Sequence, residues 1–279
     1  RRADLMPARP HFTLSHAIGP SSTGVLPLLP DGRCVHIRES NVGLGGKLWP
    51  SAGTLCRWQR SMADDIAGSH VLELGCGAGA VGIYAASLGA SCVLLTDGGS
   101  PELLSLAAQN VECNSHLWGH QTNVRVQRLR WGEMRDVQPA WAMPPGSRGW
   151  ILGSDLTYAR AAHRALCLEL GWLLEHNPGC RAILAHQRRA VGLRGIRALR
   201  GVRGLPLSAR PKRDRQLEHL MLTASALGLS VGELDLPKCE LDLSVGELDS
   251  TGRPQRVGGA PGIRELGHEI LLLEVAVLR

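Results

Sequence analysis

Residues 72–79 read Leu72-Glu73-Leu74-Gly75-Cys76-Gly77-Ala78-Gly79. An apolar run, 71–74, enters this glycine-rich turn, and a helical stretch, 81–88, leaves it and ends at Gly89. Such a turn lets the backbone approach a ligand where a Cβ would clash, and the helix behind it presents its N-terminal amides. A second apolar run, 91–96, stops at Asp97, about 20 residues on, where a nucleoside-binding βαβ unit places an acid for the two hydroxyls of a ribose. This unit constrains the fold more than any other part of the chain.

The alternation continues downstream. Residues 101–116 are helical from Pro101, 124–130 alternate as a strand before Trp131-Gly132, and 150–154 form a strand stopping at Asp155. Residues 160–176 are helical, 181–186 form a fifth strand, 217–227 are helical, and the closing GHEILLLEVAVLR is a strand. Upstream, 49–66 is helical, with Pro50 in the first turn and Leu55, Trp58 and Met62 on one face. Strand–helix alternation implies an α/β chain with a parallel sheet covered on both faces. Ligands of such sheets bind beyond the carboxyl ends of the strands. Glu73 to Gly79, Asp97, Trp131 and Asp155 to Tyr158 lie just past four of those ends and should converge on one rim.

The ends of the chain read differently. Residues 1–46 form an N-terminal arm rich in Gly, Pro and Ser, with a short hairpin near 33–37. Residues 47–279 form a single domain with a basic, repetitive insertion at about 188–260. Inside it, 188–215 carries ten basic residues and one acid, while the whole chain has 31 against 25 and a net charge of +6. The body is therefore near neutral. A polybasic stretch offers a face to nucleic acid or another acidic surface, and a solvated surface insertion is the plainer reading. LSVGELD occurs at 229–235 and again at 243–249. Two copies are too few for a solenoid and read as a duplicated loop.

Hydrophobic residues make up 44% of the 279, an ordinary globular share that excludes wholesale disorder. No apolar run approaches the roughly 20 residues of a membrane span. The eight cysteines include no C-x-x-C pair, so no metal pattern emerges, and their even spread in apolar runs favours a reducing, cytoplasmic setting, with nuclear and organellar ones left open. The chain opens Arg1-Arg2 without Met, which leaves a fragment, a processed form or a transit-peptide remnant open.

Two cofactor classes share the glycine-turn logic. Gly77 to Gly82 also matches the dinucleotide pattern G-x-G-x-x-G, a weak signal by itself. Glu73 stands before the first glycine, where a pyrophosphate would be repelled and a cationic amino-acid portion would be welcome. Nothing downstream resembles a second substrate domain. The reading is S-adenosylmethionine.

Glu73-Leu74-Gly75-Cys76-Gly77-Ala78-Gly79 with the strand-ending Asp97 is the general signature of class I, seven-β-strand methyltransferases. Four further pieces narrow it: Leu48-Trp49-Pro50, Asn110-Val111-Glu112-Cys113-Asn114, Leu129-Arg130-Trp131-Gly132 and Ser154-Asp155-Leu156-Thr157-Tyr158. In this order they resemble methyltransferase family 16, the lysine methyltransferase-like group, over roughly residues 40–190. The resemblance implies a doubly wound, Rossmann-like, mostly parallel seven-stranded sheet with an antiparallel final strand. It implies S-adenosylmethionine as cofactor and a protein side-chain nitrogen, lysine first, as acceptor. Gly75, Cys76 and Gly77 should line the methionine side, Glu73 should sit near its amino group, and Asp97 should hold the ribose. Trp131 should pack on the adenine, Trp49 should reach over the cofactor, and Ser154 should give a backbone contact. Asp155 and Tyr158, as catalytic residues, should line the channel where the acceptor enters. Arg130 departs from the pattern, since members often carry a smaller or acidic residue there, and the region 188–250 matches poorly.

Each residue also has a plainer reading. Trp49, Trp131 and Tyr158 could be packing residues, Asp155 a helix cap, Cys76 a small filler, and His186 a structural histidine. Three other functions remain open: a non-catalytic binder of the cofactor, a methyltransferase acting on arginine or histidine, and one acting on nucleic acid. The last lacks the Asn-Pro-Pro-Tyr type of motif, Asp155-Leu156-Thr157-Tyr158 having no prolines. The chain is expected to be monomeric.

Overall fold

A computed structural model describes residues 23–132, 141, 143–144, 146–188, 214–234 and 270–278. Its centre is a seven-stranded sheet. Strands β3 (His70–Leu74), β4 (Cys92–Asp97), β5 (Asn123–Arg128), β6 (Gly149–Ser154) and β7 (Cys180–Gln187) are mutually parallel. Strand β9 (Ile270–Val277) runs antiparallel between β7 and β8 (Leu229–Leu234), giving the order β5-β4-β3-β6-β7-β9-β8. The doubly wound, mostly parallel sheet with an antiparallel final strand is thus present. Its order reverses at β3, between β4 and β6, and at such a point the strand ends open a crevice.

Period-two alternation distributes each strand between two cores. Val71, Val93, Leu95, Trp150 and Ile183 face one side with α1 (Pro50–Ser61), α3 (Ala80–Ser87) and α4 (Pro101–Asn114). Leu72, Leu74, Leu94, Ile151 and Leu184 face the other with α5 (Arg160–His176) and α6 (Arg215–Ala226). The expected helix over 49–66 is broken at Met62 into α1 and the single turn α2 (Ala63–Ile66). Among the described residues no helix is long and apolar enough to cross a membrane.

Residues 23–46, read as an arm, are integrated into the first core. A hairpin of β1 (Thr23–Val25) and β2 (His36–Arg38) brings Leu26, Leu29, Val35 and Ile37 into it. Two asparagines of α4 hold the hairpin. Asn110 accepts from the Arg38 amide at 3.0 Å and donates to the Arg38 and Ala78 carbonyls at 3.0 and 2.9 Å. Asn114 treats His36 likewise, at 3.1 and 2.8 Å. The spacing works because four helical residues rise about 6 Å, close to the span of two strand residues. With about 1 kcal/mol per bond, Asn110→Ala is expected to cost about 3 kcal/mol in urea unfolding. A loss under about 1 kcal/mol would mean that the hairpin is held by its apolar contacts alone.

The duplicated-loop reading of 229–235 is corrected: the first copy is β8. Leu229 is buried, Val231 packs against the second core, and β9 supplies the ladder from Leu229↔Val277 to Leu234↔Leu272. The second copy and the basic residues 189–213 lie outside the described residues. Residues 214–234, read as insertion, contribute α6 and this edge strand.

Candidate active site

The β3–α3 turn is built on left-handed glycines. Gly77 has φ +53°, and a Cβ there would lie 2.5 Å from the carbonyl oxygen of Gly45, in the single 3-10 turn Leu44–Gly46. Asp97 locks the same turn: one carboxylate oxygen accepts from the Gly77 amide at 2.9 Å, the other from Gly99 at 2.7 Å.

Alternation along β3 turns Glu73 toward α3. It is 2% exposed and accepts from the Gly82 amide at 2.7 Å, in the first turn of that helix. Gly82 leaves room for it, since a Cβ would lie 2.8 Å from the carboxylate oxygen. Burial pushes the Glu73 carboxyl up to about 8, with the Gly82 and Val81 amides pulling the other way. Cys76 is buried, and burial pushes its thiol well above the ordinary cysteine range, which favours the reading as a small filler.

These pieces line a cleft of about 440 Å³. Trp49, Glu73, Gly75, Cys76, Gly77, Asp97, Trp131, Ser154, Asp155 and Tyr158 all line it, so the residues singled out from sequence come together. Trp49 stands at the start of α1, its indole donating to the Leu44 carbonyl at 3.0 Å. The hydroxyls of Ser51 and Ser154 meet at 2.9 Å, tying α1 to the end of β6. Lys47, Arg130, Ala162 and Ala165 add to the wall.

Asp155 is the one non-glycine residue among those described with positive φ, at +53°. It makes no side-chain cap to the turn it begins, so the helix-cap reading fails. Its amide donates to the Ala185 carbonyl at 2.9 Å, and the residue is 7% exposed. Strained backbone of this kind costs about 1–3 kcal/mol and gathers at functional sites. Tyr158, three residues on, is 47% exposed at the mouth.

Sequence reasoning missed what lies beneath this turn. Thr157 is buried, and its hydroxyl bonds Nδ1 of His186, whose Nε2 meets Asp214 at 2.7 Å. Burial pushes Asp214 up, but His186 and the amides of Leu217 and Gln216 outweigh it and hold the carboxyl below its usual range. On the other side, His163 Nε2 meets the Thr157 carbonyl at 2.9 Å and its Nδ1 meets Nδ1 of His219 at 2.9 Å. A carbonyl only accepts, so His163 Nε2 carries a proton. Burial pushes the His163 pKa down, so its Nδ1 is an acceptor and His219 donates. The one advance signal was a trio of histidines near the ends of strands and helices.

A depressed histidine pKa favours the neutral folded state. The stability it gives is full above the unfolded value of about 6.5 and is lost as pH falls through the folded pKa. The wild type is therefore expected to lose more melting temperature between pH 7.5 and 5.5 than His163→Gln does, by differential scanning fluorimetry. Equal losses would contradict the neutral His163.

The sequence matches the lysine methyltransferase family over residues 31–194. Protein N-lysine methyltransferase METTL21A of Danio rerio is 39% identical over 125 residues, covering 45% of this chain and 53% of its own. Calmodulin-lysine N-methyltransferase of Arabidopsis thaliana is 29% identical over 148 residues, 52% of this chain and 46% of its own. Histone-arginine methyltransferase METTL23 of Mus musculus is 28% identical over 139 residues, 50% and 51%. The chain spans about half the length of these curated relatives. The family match takes in β2 through β7 and every residue of the cleft named above. This chain belongs to the lysine methyltransferase family.

Proposed function

We propose that the chain transfers a methyl group from S-adenosylmethionine to a side-chain nitrogen of a protein, with lysine as the acceptor. One observation carries this reading: a glycine turn, a strand-ending Asp97 and the strained Asp155–Tyr158 turn open on one cleft. The residues fit the cofactor. Asp97 spends one lone pair of each oxygen on an amide and keeps others for two ribose hydroxyls. A Cβ on Gly75 would come within 2.5 Å of Leu156 and 3.3 Å of Trp131, so the missing side chain keeps the approach open.

The cofactor supplies an electrophilic methyl on a sulfonium. The chain supplies binding, orientation and exclusion of water. Trp131 and Trp49 offer aromatic surface, Gly75 to Gly77 present backbone, and Ser154 adds a main-chain contact. Glu73 offers a buried carboxyl to a cationic amino group. A lysine acceptor has an ordinary pKa near 10.4 and must lose a proton before attack. Burial in the channel and a neighbouring positive charge both lower it. Asp155 orients the amine and Tyr158 narrows the mouth.

Arginine is the second reading, because METTL23 of Mus musculus is named a histone-arginine methyltransferase. The nucleic-acid reading rests on the basic stretch, which lies mostly outside the described residues. Calorimetric titration with S-adenosylhomocysteine, with NADH in parallel, tests the cofactor. Binding of the first alone is expected, and binding of NADH alone would overturn the assignment.

A further inference from the structure

Glu169 takes no part in the cleft wall, yet it is a carboxyl with 0% exposure in the middle of α5. Its neighbours along that face are Leu166, Leu170 and Leu173, all in the second core. One oxygen accepts from the Gly132 amide at 2.8 Å, and the other has no partner among the described residues. A half-satisfied carboxyl in an apolar layer is a poor device for stability, because burial penalises its charge and leaves lone pairs unmet. Burial accordingly pushes the Glu169 carboxyl above its ordinary range, against the pull of the Gly132 amide.

What the bond secures is local. Gly132 has φ +95° and directly follows Trp131, whose ring forms one wall of the cleft. A Cβ on Gly132 would meet nothing within 4 Å among the described residues, so this amide has no side chain over it, while Trp131 itself packs against the second core. The tie runs from there to α5, whose Ala165 and Ala162, on the same helical face one and two turns earlier, line the same cleft. The carboxyl therefore joins the Trp131 wall to a helix that bears another part of the lining.

We propose that Glu169 is a positioning residue for the cofactor site: by holding the Gly132 amide it sets the Trp131 indole in its binding orientation before the ligand arrives. The proposal rests on the reading of the cleft as an S-adenosylmethionine site. Preorganisation of this kind acts on affinity, since an unpinned wall must be ordered at the moment of binding. A neutral acceptor at the same place does the same work, so Gln should substitute and Leu should not.

The test is calorimetric titration of S-adenosylhomocysteine into wild type, Glu169→Gln and Glu169→Leu, with thermal melts of each. Glu169→Leu is expected to bind about 10-fold more weakly while melting at or above the wild-type temperature, and Glu169→Gln is expected to bind within about twofold of wild type. This split separates positioning from support of the fold, which would move both readouts together. If Glu169→Leu does not fold, amide exchange at Gly132 in the ligand-free wild type decides: protection supports the tie, and exchange at the rate of an open loop overturns it. Equal affinity of wild type and Glu169→Leu overturns the role of Glu169 alone. Failure of the wild type to bind overturns the cofactor reading on which it rests.

Discussion

Asp97→Ala is expected to weaken S-adenosylhomocysteine binding by about 100-fold or more. Hydrogen bonds from ribose hydroxyls to a charged carboxylate contribute about 1.5–3 kcal/mol each, and two of them reach about 3 kcal/mol even at the lower end. The same substitution frees the Gly77 and Gly99 amides, which the carboxylate now binds at 2.9 and 2.7 Å. The glycine turn then keeps only main-chain ties to β4, such as that from the Cys76 amide to the Thr96 carbonyl at 2.8 Å, and the cofactor meets a looser surface. Asp97→Asn refines the point: it retains one acceptor oxygen but turns an NH2 toward an amide donor, so it should bind more weakly than wild type and more tightly than Ala. Calorimetry gives all three values. Affinity for Asp97→Ala within about threefold of wild type would remove the ribose role of Asp97.

Asp155→Ala is expected to reduce methyl transfer by about 100-fold or more, because small misplacements of a reacting pair have effects of that size. Binding of S-adenosylhomocysteine should change little, since the bond from residue 155 to Ala185 is made by the main chain. Conformation and charge are separable. The left-handed φ of +53° costs Ala about 1–2 kcal/mol, whereas Asn tolerates it. If Asp155 acts by its charge, Asp155→Asn is as poor in single-turnover transfer as Ala. If transfer returns in Asp155→Asn, the strained turn matters and the carboxylate does not. Full activity in both variants would refute the catalytic assignment.

Much of the frame was legible because its signals are local. The apolar runs at 71–74, 91–96 and 150–154 end in residues that strain or bind, and a parallel sheet sends all its carboxyl ends to one rim. Asp97, Trp131 and Asp155 could therefore be grouped without any knowledge of distance. What stayed hidden depends on partners far along the chain. Asn110 and Asn114 looked like the tail of a helix, and nothing periodic announces that their amides bind the backbone of Arg38 and His36. Strand β8 holds a Gly and a Glu, and its ladder comes from Leu272 to Val277, some forty residues later by sequence number, so a strand looked like a loop. The sequence pattern places Glu73 near the cofactor, and the structure also engages it with the amide of Gly82. The sequence marks His186 only as the end of a strand, and it reaches from Asp214 to Thr157, beneath the turn that carries Tyr158.

The most direct measurement of the central claim is transfer from methyl-labelled S-adenosylmethionine to cell-lysate proteins, with tandem mass spectrometry to locate the label, for wild type and Asp97→Ala. The account predicts label on protein lysine with wild type and its loss with Asp97→Ala. Label on arginine would keep the cleft and replace the acceptor. An S-adenosylhomocysteine-binding wild type that labels no protein would contradict the account and leave a binder of the cofactor in place of an enzyme.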